Sequence, residues 1–279
     1  NAVVNGVVLV QANLWGRHLA RVDLFLEQDA RRRWRVTAKQ SRTIPVTVDV
    51  VPDPAITAMA ASYDRETQAW LGRTIGSSDA ELTAADTRIR DTAILDLVHR
   101  VQLEAGQADV SMVASFNARA RIPKGDVAVR DIFGLYIYDN TLVVLKVTGA
   151  QLKEALEHSA RFFRAYEPGR TPAELVDGRV PDYNFDQAEG VSYDLNLTRP
   201  PGERIENLRF KGQPVDPAQT FRLATNNYRQ NGGGGYTMYQ GAQELVRPTR
   251  EIRDLIVEWV EAHRHIPSEP TNNWRIVTR

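Results

Sequence analysis

The stretch "DIFGLYIYDNTLVVLKVTGAQLKEALEHS", residues 131–159, decides the fold class. Its first half reads as a strand carrying Tyr136 and Tyr138 on one face, a turn at Asp139-Asn140, and a second strand over the apolar run that follows. Thr148 and Gln151 then have capping-box spacing, which opens a helix whose Leu152, Leu156 and Phe163 share a face. Outward on one side, "ADVSMVAS" at 108–115 reads as a buried strand, preceded by a helix over 91–105 with Ile94, Leu97, Val98 and Val101 as its apolar stripe. On the other side, 165–183 reads as a loop, "GVSYDLNL" and "RIENLRF" as a hairpin around "TRPPGE", and 249–262 as a closing amphipathic helix. Strand-like runs at 3–10, 19–26 and from Trp34 onward come first, with a helix over 55–71 opened by Asp53-Pro54. Strands and helices mix without a regular βαβ rhythm, so the expected class is α+β, mixed β-sheets with packed helices.

Thirty-five basic residues balance thirty-five acidic ones, so no global field recruits a nucleic acid polymer. No cysteine is present, which excludes a disulfide framework and thiolate chemistry. No apolar run reaches the roughly 20 residues of a bilayer span, so no membrane insertion is expected. The opening "NAVVNGVVLV" has neither an initiator Met nor a basic-then-apolar leader, and reads as a piece of something longer.

The glycine run 232–235 in "ATNNYRQNGGGGYTMY" lacks the Gly-Lys-Ser/Thr ending of a phosphate loop and the spacing of a dinucleotide fingerprint. It reads either as a turn with free φ/ψ or as a place of close backbone approach to a flat ligand beside Tyr228. Tyr138 and Asn140 carry a similar pair of readings. A ring can stack on a base and an amide can pair with its edge, or the segment is a half-buried strand with Asn in its turn. Arg119 and Arg121 in "FNARARIPKGD" share a face after a buried strand, suited to a phosphate or simply solvated. The five histidines, at 18, 99, 158, 263 and 265, have no metal-ligand spacing; His263 and His265 read as a cationic helix end. Ser115 lies in no nucleophile elbow and reads as structural.

Taken together, "NGVVLVQANLWGRHLARVDL", "ADVSMVASFNARARIPKGDVAVRDIFGLYIYDNTLVVLKVTGAQLKEALEHS", "DYNFDQAEGVSYDLNLTRPPGERI" and "FRLATNNYRQNGGGGY" resemble the C-terminal, nucleoside-binding domain of the bacterial 5′-nucleotidase and 2′,3′-cyclic-nucleotide 2′-phosphodiesterase family. The resemblance implies a parent phosphoric ester hydrolase whose N-terminal metallophosphoesterase domain holds two divalent metals, while this chain captures a nucleoside or nucleotide. It implies that residues 1–27 are terminal strands of that absent domain, 28–75 a connecting strand and linker helix, and 76–279 the nucleoside-binding domain. No cofactor or metal site is expected within the chain itself, and on its own it is expected to be inactive.

Carried over position by position, the stacking aromatics fall on Tyr138 and Tyr228, the base-pairing amide on Asn140, and the phosphate-side arginines on Arg119 and, less directly, Arg88. Where relatives place a ribose-facing aspartate, this chain has Gly234. A carboxylate there would repel a cyclic 2′,3′-phosphate, so Gly234 points to the cyclic phosphodiesterase/3′-nucleotidase branch. The alternatives are a 5′-nucleotidase/UDP-sugar hydrolase, or a non-catalytic binding or structural module. A periplasmic, cell-wall-associated or secreted location follows from the resemblance, as does a hinge role for the 54–71 helix and the polar segment after it.

Overall fold

The computed structural model describes residues 2–247 and 249–278. Two compact units divide between Glu66 and Thr67.

In the first unit the run at 3–10 is a hairpin rather than one strand. Ala2–Val4 pairs antiparallel with Val7–Leu9 around Asn5-Gly6, whose φ values of 49° and 78° are those of the tight turn that favours Asn-Gly. His18–Gln28 and Trp34–Pro45 form a longer two-stranded ribbon, with His18 opposite Pro45 and Gln28 opposite Trp34. Among the described residues of this unit only Ser41 is buried. Val22, Leu24, Leu26, Trp34 and Val36 stand exposed. The helix Pro54–Leu71 begins where the sequence predicts, with the Asp53 carboxylate accepting from the Ala55 amide at 2.8 Å.

The second unit is built on a five-stranded sheet in the order Asp186–Glu189, Val110–Ala114, Thr220–Asn226, Leu142–Thr148, Gln243–Val246. Leu142 and Val144 pack with helices Ala93–Gly106 and Ile252–His263 on one face; Val143, Leu145 and Val147 pack with helix Gly149–Ser159 on the other. Burial on both faces is why this strand reads as an unbroken apolar run. The predicted capping box is present: Thr148 Oγ1 accepts from the Gln151 amide at 3.2 Å, and Gln151 Oε1 accepts from the Thr148 amide at 2.9 Å. The predicted hairpin is also present, with Val191–Asn196 antiparallel to Ile205–Phe210, and the chain's last strand Trp274–Val277 adds in parallel beside it.

A second expectation is overturned. Residues 131–135 are not strand; Val129–Leu135 is a short helix, and Leu142–Thr148 is the only strand of that stretch. Val129, Ile132 and Leu135 are buried at helical spacing, and the Asp131 carboxylate accepts from the Ala128 amide at 2.8 Å. Tyr136 and Tyr138 therefore do not share a strand face: Tyr136 is buried in the core while Tyr138 is 41% exposed.

Candidate functional site

Strand direction brings the segments that carry Tyr138, Asn140, Tyr228 and Gly234 to one end of the five-stranded sheet. Val110–Ala114 and Thr220–Asn226 run parallel, and Leu142–Thr148 and Asp186–Glu189 run antiparallel to them. The C-terminal ends of the first pair and the N-terminal ends of the second thus meet. The segments 115–117, 138–141, 182–184 and 227–235, which flank those strands, lie there. The two tyrosine-bearing turns are bonded to each other: the Asn227 amide donates to Thr141 O at 3.0 Å, and the Thr141 amide donates to Asn227 Oδ1 at 3.2 Å.

Tyr138 rests on aromatic rings. Phe116 meets both Tyr136 and Tyr138 edge to face, with centroids 5.1 Å apart in each pair. Asn140 is half-buried, and its carbonyl accepts from the Ile252 amide at 2.9 Å, which fixes the turn against the start of the last helix. Burial pushes the Tyr136 phenol up, opposed by the neighbouring amides of Asn140 and Asn226.

Tyr228, 44% exposed, rests on something else. A Cβ on Gly233 would lie 2.6 Å from three atoms of the Tyr228 ring, so the ring lies directly against that glycine's backbone. Beneath it Arg229 is buried against Asp186 through two hydrogen bonds, Nε to Oδ2 at 2.8 Å and Nη2 to Oδ1 at 2.7 Å. Arg229 also donates to the carbonyls of Gly233 and Tyr183 and lies 4.3 Å from the Tyr236 ring centroid. Burial opposes its charge, but the Asp186 carboxylate more than offsets this, and its pKa is raised. His158 Nε2 donates to Gly234 O at 2.8 Å, holding the run from the other side.

Gly232, Gly234 and Gly235 have φ of 82°, 70° and 86°, so the run needs its glycines for conformation. Gly234 has a packing reason as well. A Cβ there would lie 2.2 Å from Asn184 Oδ1 and 2.4 Å from Arg229 Nη1.

The two predicted arginines differ. Arg88 reaches the same end, with Nη1 3.0 Å from Asp182 Oδ2 and Nη2 donating to Ser115 O at 3.4 Å. Arg119 is exposed, and its guanidinium makes no ion pair among the described residues; only its amide is held, by Asn117 Oδ1 at 3.1 Å. Arg121, expected to act alongside it, pairs instead with Glu81 at 2.9 Å. Asn117 also donates to Gly134 O at 2.7 Å, tying the arginine loop to the Val129–Leu135 helix. Sequence reasoning passed over Asn117, whose place just after a strand is an Asx-turn signal. It also passed over Arg229, Asp186, Asn184 and His158, and Arg229 and Asp186 stand 43 positions apart with no motif linking them.

A groove of about 1300 Å³ runs along Lys153, Glu157, His158 and Arg161 and includes none of the predicted binding residues. Among the described residues no group of three or more His, Cys, Asp or Glu side chains is arranged to hold a metal ion. No helix among them is long and apolar enough to cross a membrane.

The second unit is therefore an α+β domain with two half-exposed tyrosine rings and the Arg88 cation at one end of its central sheet. Residues 74–241 match the family described as 5′-nucleotidase, C-terminal domain, and the chain belongs to that family. It is 26% identical to the trifunctional nucleotide phosphoesterase protein YfkN of Bacillus subtilis, over 98% of this chain and 21% of that protein. It is 30% identical to the 2′,3′-cyclic-nucleotide 2′-phosphodiesterase/3′-nucleotidase of Haemophilus influenzae, over 99% of this chain and 49% of the relative. The chain thus spans about half or less of the length of these relatives. Its fold matches the crystal structure of a 5′-nucleotidase precursor from Thermus thermophilus with a TM-score of 0.66 at 22% identity, over 97% of this chain and 52% of that one.

Proposed function

We propose that this chain is the nucleoside-binding part of a nucleotide phosphoesterase that acts as a 2′,3′-cyclic-nucleotide 2′-phosphodiesterase/3′-nucleotidase. The observation that carries the reading is the bonded pair of turns presenting Tyr138 and Tyr228, both half-exposed, on packed supports at one end of the sheet. A base stacks between the two rings, each such contact contributing about 1–3 kcal/mol, and Asn140 pairs with the base edge. Arg119 and Arg88 face the phosphate. The 30% identity to a cyclic phosphodiesterase supports that branch over a 5′-nucleotidase or UDP-sugar hydrolase.

Hydrolysis belongs on this reading to an N-terminal metallophosphoesterase domain of the same polypeptide, whose two divalent metals would supply Lewis-acid polarisation of the phosphoryl oxygen and activation of water. On this reading the chain's own part is to bind, orient and shield the nucleoside, and alone it is inactive. Residues 1–27 complete that domain, 28–75 connect, and 76–279 bind. The exposed apolar strands of the first unit support this, because a two-stranded ribbon is marginal by itself and a contiguous apolar surface calls for cover. The enzyme works outside the cytoplasm, in the periplasm, at the cell wall or secreted. In the full two-domain protein, 2′,3′-cyclic AMP is turned over in preference to 5′-AMP. A clear preference for 5′-AMP would sink the branch assignment.

A further inference from the structure

Arg88 and Arg119 flank the same turn, yet only one of them is engaged. The Arg88 side chain is 19% exposed and fixed, with Nη2 on Ser115 O and Nε buried without a partner among the described residues. Its one counter-ion, Asp182, is 61% exposed. The pair joins a fixed cation to an accessible carboxylate that can swing away by rotation about its own side-chain bonds.

The backbone beneath Asp182 is anchored. The Asn184 amide donates to Pro181 O at 2.9 Å and the Phe185 amide to Asp182 O at 3.3 Å, with Phe185 itself buried. Buried Arg229 holds Tyr183 O and reaches Asn184 Oδ1 at 3.3 Å. The same Arg229 braces the glycine run under Tyr228, so Asp182 is held over Arg88 by the network that seats the proposed base-stacking ring.

We infer that Asp182 is a specificity-determining residue that occupies the anion seat of Arg88 and competes with the ligand's phosphate. The inference rests on the nucleoside-binding reading above. A nucleoside without phosphate leaves the Arg88–Asp182 pair intact. A nucleotide must displace the carboxylate and then bind beside it, opposed by its like charge. Asp182 thereby weakens the hold on phosphate-bearing ligands relative to nucleosides. This matters for a two-step ester hydrolase, whose intermediate carries more charge than its cyclic substrate.

The test is calorimetric titration of the chain with adenosine and with 3′-AMP. Asp182→Asn should tighten 3′-AMP about three- to tenfold, the scale of a partly exposed ion pair plus a removed like charge, and leave adenosine within about twofold. In an Arg88→Ala background the same substitution should gain clearly less, because the ion pair is gone and only the like-charge repulsion remains to be removed. Asp182→Glu, which keeps the carboxylate, should retain the wild-type ratio. Thermal melts of each variant separate folding from binding. Equal changes for both ligands, no change for either, or a gain undiminished without Arg88 would overturn the inference while leaving the nucleoside site standing. Wild-type chain that binds neither ligand would overturn both.

Discussion

Tyr228 stands on buried charge and glycine, whereas Tyr138, bonded to it through the neighbouring turn, stands on aromatic edges and backbone hydrogen bonds. Arg229 and Asp186, each with a side chain 1% exposed, form the first support, and Gly233 brings the ring onto it. Phe116 forms the second, touching Tyr136 and Tyr138 alike. The difference teaches how each wall should fail. A buried ion pair fixes geometry through several directed bonds, but losing either member strands the other without a partner. Aromatic edge contacts are weaker and separable, so that wall should degrade by degrees.

The sharpest way to break the comparison is Arg229→Met, which leaves the Asp186 carboxylate buried and alone. It should lower stability by about 3–5 kcal/mol, read by urea denaturation, and a second substitution Asp186→Leu should recover much of the loss. A near-neutral Arg229→Met would mean that the pair holds nothing in place.

The apolar wall has a titratable weakness one step behind it. Strand Val110–Ala114 leads to Phe116, and its Ser111 hydroxyl meets Nδ1 of His99 at 2.9 Å. Burial pushes His99 down to about 3. Its folded pKa lies below its unfolded value, so as pH falls the unfolded chain takes up the proton first, and stability is lost from about pH 6.5 downward. This group should cost about 2–3 kcal/mol between pH 7 and pH 4.5, and His99→Gln should flatten that part of the slope in denaturant titrations at the two pH values.

Smaller effects separate the walls at the level of binding. Gly233 has ordinary negative φ, so Gly233→Ala tests contact rather than backbone strain. Its methyl must push the Tyr228 ring off its seat, and adenosine affinity should fall by about tenfold, within the ~1–3 kcal/mol of a stacked base. Phe116→Leu keeps the apolar volume and removes both edge contacts. It should cost only about 0.5–1 kcal/mol, read as a two- to fivefold rise in Kd for adenosine.

These two walls were unequally legible in the sequence. The helix after Thr148 could be read because its capping box and apolar face are local, and the hairpin around "TRPPGE" because turn chemistry is local. The helix Val129–Leu135 could not, because Ile132, Phe133, Leu135, Tyr136, Ile137 and Tyr138 are too densely apolar to show a period. Its decision rests on the Asp131 cap and on burial against neighbouring elements.

The residues alone offer Tyr138 and Tyr228 as one of two readings and family resemblance selects it, while their joining through Thr141 and Asn227 is a product of strand register. Within the glycine run, identical residues hide distinct jobs: Gly233 lies against the tyrosine ring and Gly234 clears Asn184 and Arg229, a division that only tertiary packing creates. Arg229 and Asp186 had no local signal at all, since a buried pair between distant segments is written in neither spacing nor composition.

The most direct test of the site is calorimetric titration of the chain with adenosine, in wild type and in the separate variants Tyr138→Ala and Tyr228→Ala. Both rings are half-exposed, so neither substitution should cost much stability. The account predicts saturable binding in the wild type that weakens by about tenfold in each variant. Adenosine binding undiminished in both variants would contradict it.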